Sequence, residues 1–108
     1  MANTFKNYIT ANVGTSATTV LTGATGAQTT VIGMTVANTT TSAVTASVTL
    51  TSGATTVYLV KNASVPVGGS LVPVGGDQKV VVEASDVIQV QSSAATSLDV
   101  IVSVLEIS

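Results

Sequence analysis

The chain has 108 residues, no cysteine and no histidine, and charged residues are 7% of it, against a usual share of about 25%. These totals exclude disulfides, thiolate metal sites and the commonest general base. Three scattered lysines (Lys6, Lys61, Lys79), no arginine and a formal charge of −2 predict no nucleic-acid partner, because neutralising phosphates takes several cationic side chains.

In chain order, valine and threonine dominate. Both are stiff at χ1 and favour strands. The first predicted strand runs over Phe5 to Val13 and stops at Gly14. A second covers Thr18 to Thr22, and Gly23-Ala24-Thr25-Gly26 turns the chain. Over Val31 to Asn38, alternation places Ile32, Met34 and Val36 on one face. The linker Asn38 to Ser42 leads to Ala43 to Thr51, the cleanest alternating run, with Val44, Ala46, Val48 and Leu50 facing the core. Ser52-Gly53-Ala54 closes a hairpin whose return strand is Thr55 to Lys61.

The segment 65–76 reads VPVGGSLVPVGG, a near-repeat at a spacing of seven residues that holds both prolines. A phosphate-binding loop would need its glycines to open a helix in the pattern G-x-x-x-x-G-K-[ST], and no such pattern occurs. A disordered linker fits the composition less well, because strand-like sequence flanks both sides. The segment reads instead as a pair of corners on a strand edge, with Val67, Leu71 and Val74 touching the sheet. Further strands are predicted over Gln78 to Glu83, Val87 to Ser92 and Leu98 to Ile107, with turns at Ala84 to Asp86 and Ser93 to Ser97. In the closing strand both faces are partly apolar. That predicts a central strand or one covered by another subunit.

About eight short, mostly antiparallel strands predict an all-β domain spanning residues 1–108, a β-sandwich or jelly roll. The mean hydropathy is +0.61, yet no run of about 18 apolar residues exists to form a membrane-spanning helix. The N-terminus lacks the basic-then-apolar pattern of a secretory signal. The glycosylation-like triplets at Asn38 and Asn62 are therefore read as coincidence. An apolar, weakly charged, hydroxyl-rich chain suits a protein that works packed among neighbours.

Catalysis is not expected. The acids are Asp77, Glu83, Asp86, Asp99 and Glu106, and their spacing does not build a calcium loop. Asp86 reads as a turn residue bonded to backbone. A hydroxyl nucleophile would need an activating base, and only Lys61 or Lys79, both at strand ends, could serve. No cofactor or metal is expected. Of the three aromatic residues, Phe5, Tyr8 and Tyr58 can each anchor an interface; for Phe5 and Tyr58 core filling is the competing reading.

The run VPVGGSLVPVGGDQKVVVEASDVIQVQSSAATSLDVIVSVLEIS, with the opening NTFKNYITANVGTS and the central VIGMTVANTTTSAVTASVTLT, resembles small virion structural proteins of tailed marine and cyanobacterial bacteriophages. The shared parts are the turn at Gly75-Gly76-Asp77, the strand to Glu83, Asp86 before Ile88 and Val90, the Ser93 to Ser97 turn, and Ser103 to Glu106. One departure is Ser85, where that family often has glycine before the aspartate; a positive φ there would be strained.

The resemblance implies a virion component assembled in the host cytoplasm. Its partners would be further copies of itself, as a trimer or higher oligomer, and major capsid or tail proteins, with no membrane. A capsid decoration or cement subunit is the first reading. A neck, tail or fibre module that binds a receptor, carbohydrate included, and a self-assembling tube or filament are the alternatives. Candidate assembly contacts are Phe5 and Tyr8, then Val65, Pro66, Val67, Leu71, Val72, Pro73 and Val74 of the repeat, and Ile101, Leu105 and Ile107 of the closing strand.

Overall fold

The computed structural model describes residues 3–75 and 79–107, which form nine strands and no helix. These are β1 (Asn3–Val13), β2 (Thr18–Thr22), β3 (Gln28–Asn38), β4 (Val44–Ser52), β5 (Thr55–Val65), β6 (Ser70–Val74), β7 (Val80–Val82), β8 (Val87–Ser92) and β9 (Leu98–Ile107). One sheet has the order β1-β9-β3-β6, with β7 also paired to β3; the other has the order β2-β8-β4-β5. Every pairing is antiparallel.

The strands β6 and β7 lie end to end along one partner. Met34 to Ala37 of β3 pairs with β6, and Thr29 to Val31 pairs with β7. Counted as one interrupted strand, they reduce the topology to eight strands in two four-stranded sheets, with six of the connections passing between sheets. That is the jelly roll. The predicted all-β sandwich is therefore found.

Seven predicted strands appear within about four residues of their expected bounds, and β2, β8 and β9 coincide with them. The expected strand from Gln78 is shorter, Val80–Val82, and Asp77 and Gln78 lie outside the described residues, as does the Gly76 end of the second predicted corner.

The core is made of valine. Val31, Met34, Val36, Val48, Val65, Val74, Val82, Ile88, Val90, Leu98, Val100, Val102 and Val104 are all at most 1% exposed. In β9 the alternation holds over its first seven residues: Leu98, Val100, Val102 and Val104 face inward. Flanked by β1 and β3, this strand is central, as its two apolar faces predicted.

The near-repeat does not repeat in space. Pro66 to Gly69 is a four-residue turn closed by the Gly69 N–H donating to the Pro66 carbonyl at 3.0 Å, with Gly68 at φ +68°. This turn carries the chain from one sheet to the other. In the second copy Val72, Pro73 and Val74 lie in β6 instead, a strand that the corner reading missed. Burial is inverted between the copies: Val65 is buried and Val72 exposed, Pro66 is exposed and Pro73 buried, Val67 is exposed and Val74 buried. An odd spacing of seven puts equivalent residues on opposite faces of a pleated chain.

Two bulges re-phase long strands. In β1 the register runs from Thr10↔Val100 to Val13↔Leu98, so one extra residue sits beside Asp99. Asn12 takes φ +62° there, and its N–H donates to Asp99 Oδ1 at 3.1 Å. In β3 the register runs from Val31↔Val104 to Gly33↔Ser103, which makes Ile32 the extra residue. Ile32 is thus not on the face of Met34 and Val36, as simple alternation predicted. Val31 and Met34 are the buried pair, because an inserted residue flips everything beyond it. A third irregularity, at Asn62 in β5 (φ +51°), has its N–H accepted by Ser47 Oγ at 2.9 Å. Asparagine tolerates this left-handed conformation better than most residues. Both glycosylation-like asparagines therefore have structural work: Asn62 here, and Asn38 as a buried four-bond hub.

The turn before β8 holds a non-glycine residue at positive φ. Ser85 adopts φ +69°. Asp86, 5% exposed, accepts the Glu83 N–H on Oδ2 at 3.0 Å, which is the turn role expected for it. A non-glycine residue in this region costs about 1–2 kcal/mol, partly offset by the flexibility glycine gives the unfolded chain. Replacing Ser85 by glycine is expected to stabilise the protein by about 0.5–1 kcal/mol. The Ser85 N–H bond to the Gly23 carbonyl is retained in that variant. Thermal unfolding followed by circular dichroism would register the gain; an unchanged or lower midpoint would count against strain at this position.

Candidate interaction faces

A sandwich buries the inner faces of both sheets and leaves two outer faces. Here the two differ in chemistry.

On the five-stranded sheet, Phe5 stands opposite Leu105, Leu105 opposite Thr30, and Thr30 opposite Val81. Four residues along, Ile9 stands opposite Ile101, and Ile101 opposite Thr35. These are cross-strand rows on the solvent side. Phe5 is 73%, Ile9 74%, Val81 62% and Ile101 50% exposed. The row between them, Asn7-Ser103-Gly33, is low. A hollow of about 260 Å³ therefore opens beside Phe5 and Ile32, and another of about 260 Å³ lies on the far side of Ile9 and Ile101, beside Ala11 and Asp99. Among the described residues Lys6 and Asp99 are the only charged ones lining these two hollows. Lys6 is paired to Glu106 at 3.6 Å, and Asp99 caps the β1 bulge.

The predicted contact residues divide sharply. Phe5, Ile101 and the half-buried Leu105 come together on this face, with Ile107 half-buried at the end of the same strand. Phe5 and Tyr58 are not core fillers, for both are more than half exposed. Tyr8 is not on this face: its ring packs against the core, and its hydroxyl donates to Glu106 Oε2. That hydrogen bond, with burial and the negative charge of Glu106, pushes the Tyr8 hydroxyl above its ordinary pKa. Val65 and Val74 are fully buried and Pro73 is buried, so none of the three offers its side chain at the surface; the neighbours Pro73 and Val74 are both inside because the β3–β6 register shifts between Met34↔Val74 and Val36↔Leu71. Leu71 packs against the core as expected. Val67 does not touch the sheet, because the second position of its turn points to solvent; it is 55% exposed. Pro66 and Val72 are also exposed, at the turn and on the edge strand.

Ile9 and Val81 were missed. Ile9 shares the parity of Val13, which is core, so period-2 reasoning sends it inward. The bulge at Asn12 reverses that assignment. Val81 sits between two valines in a run with no alternation to read.

The four-stranded sheet has a polar outer face. Tyr58, 54% exposed, stands on it opposite Thr49. Beside the ring lie Ser47, Gln89 and Gln91. The Gln89 side-chain amide donates to Thr19 Oγ1 at 3.2 Å, and that of Gln91 donates to the Thr15 carbonyl at 2.7 Å. Lys61 Nζ is 5.3 Å from the Tyr58 ring centroid, within cation–π range.

Among the described residues no group of three or more His, Cys, Asp and Glu side chains is placed to hold a metal. Glu83 and Asp86 flank one turn, with Asp86 occupied by backbone; Asp99 and Glu106 are each held by the bonds given above. Comparison with protein-family models, curated proteins and solved structures finds no match to this chain.

Proposed function

We propose that this chain is a structural subunit of a phage virion, a capsid decoration or cement protein that works by burying the outer face of its five-stranded sheet against further copies of itself and the shell. The observation that carries the reading is the pair of cross-strand rows led by Phe5 and Ile9. Large aliphatic and aromatic side chains more than half exposed on one rigid face are costly in water, and contiguous patches of this kind mark interaction surfaces. Each buried Å² of apolar surface contributes about 25 cal/mol, and a subunit present in many copies multiplies that gain. The jelly roll is used by many viral capsid proteins, which supports the reading by analogy of fold. The sequence resemblance points the same way. No enzymatic role is part of this proposal.

Face burial is favoured over edge pairing into a filament. The edge strands β1 and β5 each carry a bulge with an asparagine at positive φ, and bulges blunt an edge against continued pairing. A neck, tail or fibre position would use the same face.

The test is the mass of the purified protein by light scattering, with co-sedimentation on purified phage particles. The native chain is expected to be a trimer or larger, or to bind particles. A double variant, Ile9→Lys with Ile101→Lys, is expected to lose both while keeping its unfolding midpoint, since both side chains are on the surface. A native chain that is monomeric and ignores particles would overturn the assignment.

A further inference from the structure

We infer that the outer face of the four-stranded sheet is a binding shelf for a neutral oligosaccharide, centred on Tyr58. This goes beyond the assembly role and uses the opposite side of the molecule.

Tyr58 lines two adjoining hollows, of about 260 and 150 Å³. Lys61 lines only the first, so the second meets the ring with no cation over it. Drug-sized ligands fill about 300–1,000 Å³; each of these hollows is smaller, on the scale of a single sugar ring. An exposed tyrosine offers a flat apolar surface with a polar tip, which suits the C–H face of a pyranose and its rim of hydroxyls.

The polar lining is preset. Gln89 and Gln91 line the second hollow, and each commits an amide N–H to a neighbour on β2 or in the loop before it. Each amide is thereby held in one orientation, with its carbonyl oxygen left as an acceptor. Ser47, which lines both hollows, and Asn62, which lines the first, are similarly fixed to each other. Fixed acceptors and hydroxyls beside an aromatic plane match a ligand rich in O–H donors, and bonds made by groups already ordered cost less entropy. Among the described residues no carboxylate lines either hollow, and Lys61 is the single charge. A polyanion would need more cations and a cationic ligand would need acids, so the ligand chemistry is a neutral sugar.

The experiment is amide chemical-shift mapping of the full chain titrated with chitotriose, maltotriose and cellotriose, each up to its solubility. At least one is expected to shift Ser47, Gln89 and Gln91 together. Tyr58→Ala should weaken that binding at least about tenfold, the scale on which losing an aromatic anchor acts, while Tyr58→Phe keeps most of it. The Ile9→Lys, Ile101→Lys double variant should bind the sugar normally, and Tyr58→Ala should assemble normally, so the two faces fail separately. No shift with any of the three sugars, shifts confined to the other sheet, or full binding by Tyr58→Ala would each overturn the inference.

Discussion

Gly23→Ala is expected to destabilise the protein by about 3 kcal/mol or more, at or beyond the top of the usual range for overpacking. Gly23 is buried where the loop after β2 crosses the turn before β8. Its N–H donates to the Asp86 carbonyl at 2.8 Å, and its carbonyl accepts the Ser85 N–H at 3.0 Å. A methyl group there would overlap the Glu83 carbonyl oxygen outright and stand 2.9 Å from the carbonyl carbon and 3.1 Å from Val82 Cγ1. A flexible side chain could swing away from such a clash. A backbone carbonyl held in a turn cannot, so the loop must separate from the turn and weaken both crossing bonds. For a domain of this length, about 4 °C of midpoint is lost per kcal/mol, which predicts a fall of roughly 12 °C. Gly33→Ala is the control, because nothing lies within 4 Å of the added methyl and φ is not positive. It should leave the midpoint within a few degrees, or raise it through the reduced entropy of the unfolded chain. Equal losses in the two variants would mean that helix- and strand-independent glycine effects dominate, and the steric argument would fall.

The strands were legible because valine and threonine alternate, and the turns because glycine, serine and asparagine cluster between them. Alternation in Val44 to Leu50 translates directly into burial of Val44, Ala46 and Val48. Faces were legible only where the register is uninterrupted. A bulge inserts one residue and inverts every assignment beyond it, and nothing in the local composition around Asn12 or Ile32 distinguishes an extra residue from a paired one. The exposed face therefore emerged only in part, with Phe5, Ile101 and Leu105 found and Ile9 missed. The strand β6 was hidden by its proline and the glycines on either side of it, which read as a corner. Proline is compatible with the edge of a sheet, and β6 occupies that edge. The polar face around Tyr58 left no motif at all, since its residues come from β4, β5 and β8, which are adjacent only after folding.

The two outer faces give the molecule a direction. One sheet offers aliphatic and aromatic rows with little charge, the other a tyrosine set among amides and hydroxyls. The decoration role proposed above would use such sidedness: a face that prefers contact with a shell and a face that prefers water. A chain with few charges can meet both needs only by segregating its apolar surface, because mixed surfaces of low charge associate without orientation. Bulges in both long edge strands complete the arrangement by discouraging lateral sheet growth while leaving the flat faces free.

Asn38→Ala is expected to cost about 3 kcal/mol, from the loss of one buried and three part-buried hydrogen bonds at about 1 kcal/mol each. Asn38 ends β3 and is 4% exposed. Its Nδ2 donates to the Ser42 carbonyl at 2.8 Å and to the Val65 carbonyl at 3.1 Å, and its Oδ1 accepts the Thr40 N–H and the Thr40 hydroxyl, both at 2.8 Å. The amide thus meets all the bonding capacity it brings inside. It ties the loop between the sheets to the end of β5, at the residue before the Pro66 turn. Alanine leaves the Val65 carbonyl without that donor at a position shielded from water. Leaving a buried acceptor unpaired costs more than the bond itself was worth. Asn38→Asp separates the polar loss from any cavity, since it keeps the shape but turns the donor into an oxygen facing two carbonyls. It should be at least as damaging as alanine when unfolding is followed in urea. An Asn38→Asp protein as stable as the native one would show that the loop is held by its backbone bonds, Asn38 N–H to Gly69 and Thr39 N–H to Ser97, and that the side-chain hub is dispensable.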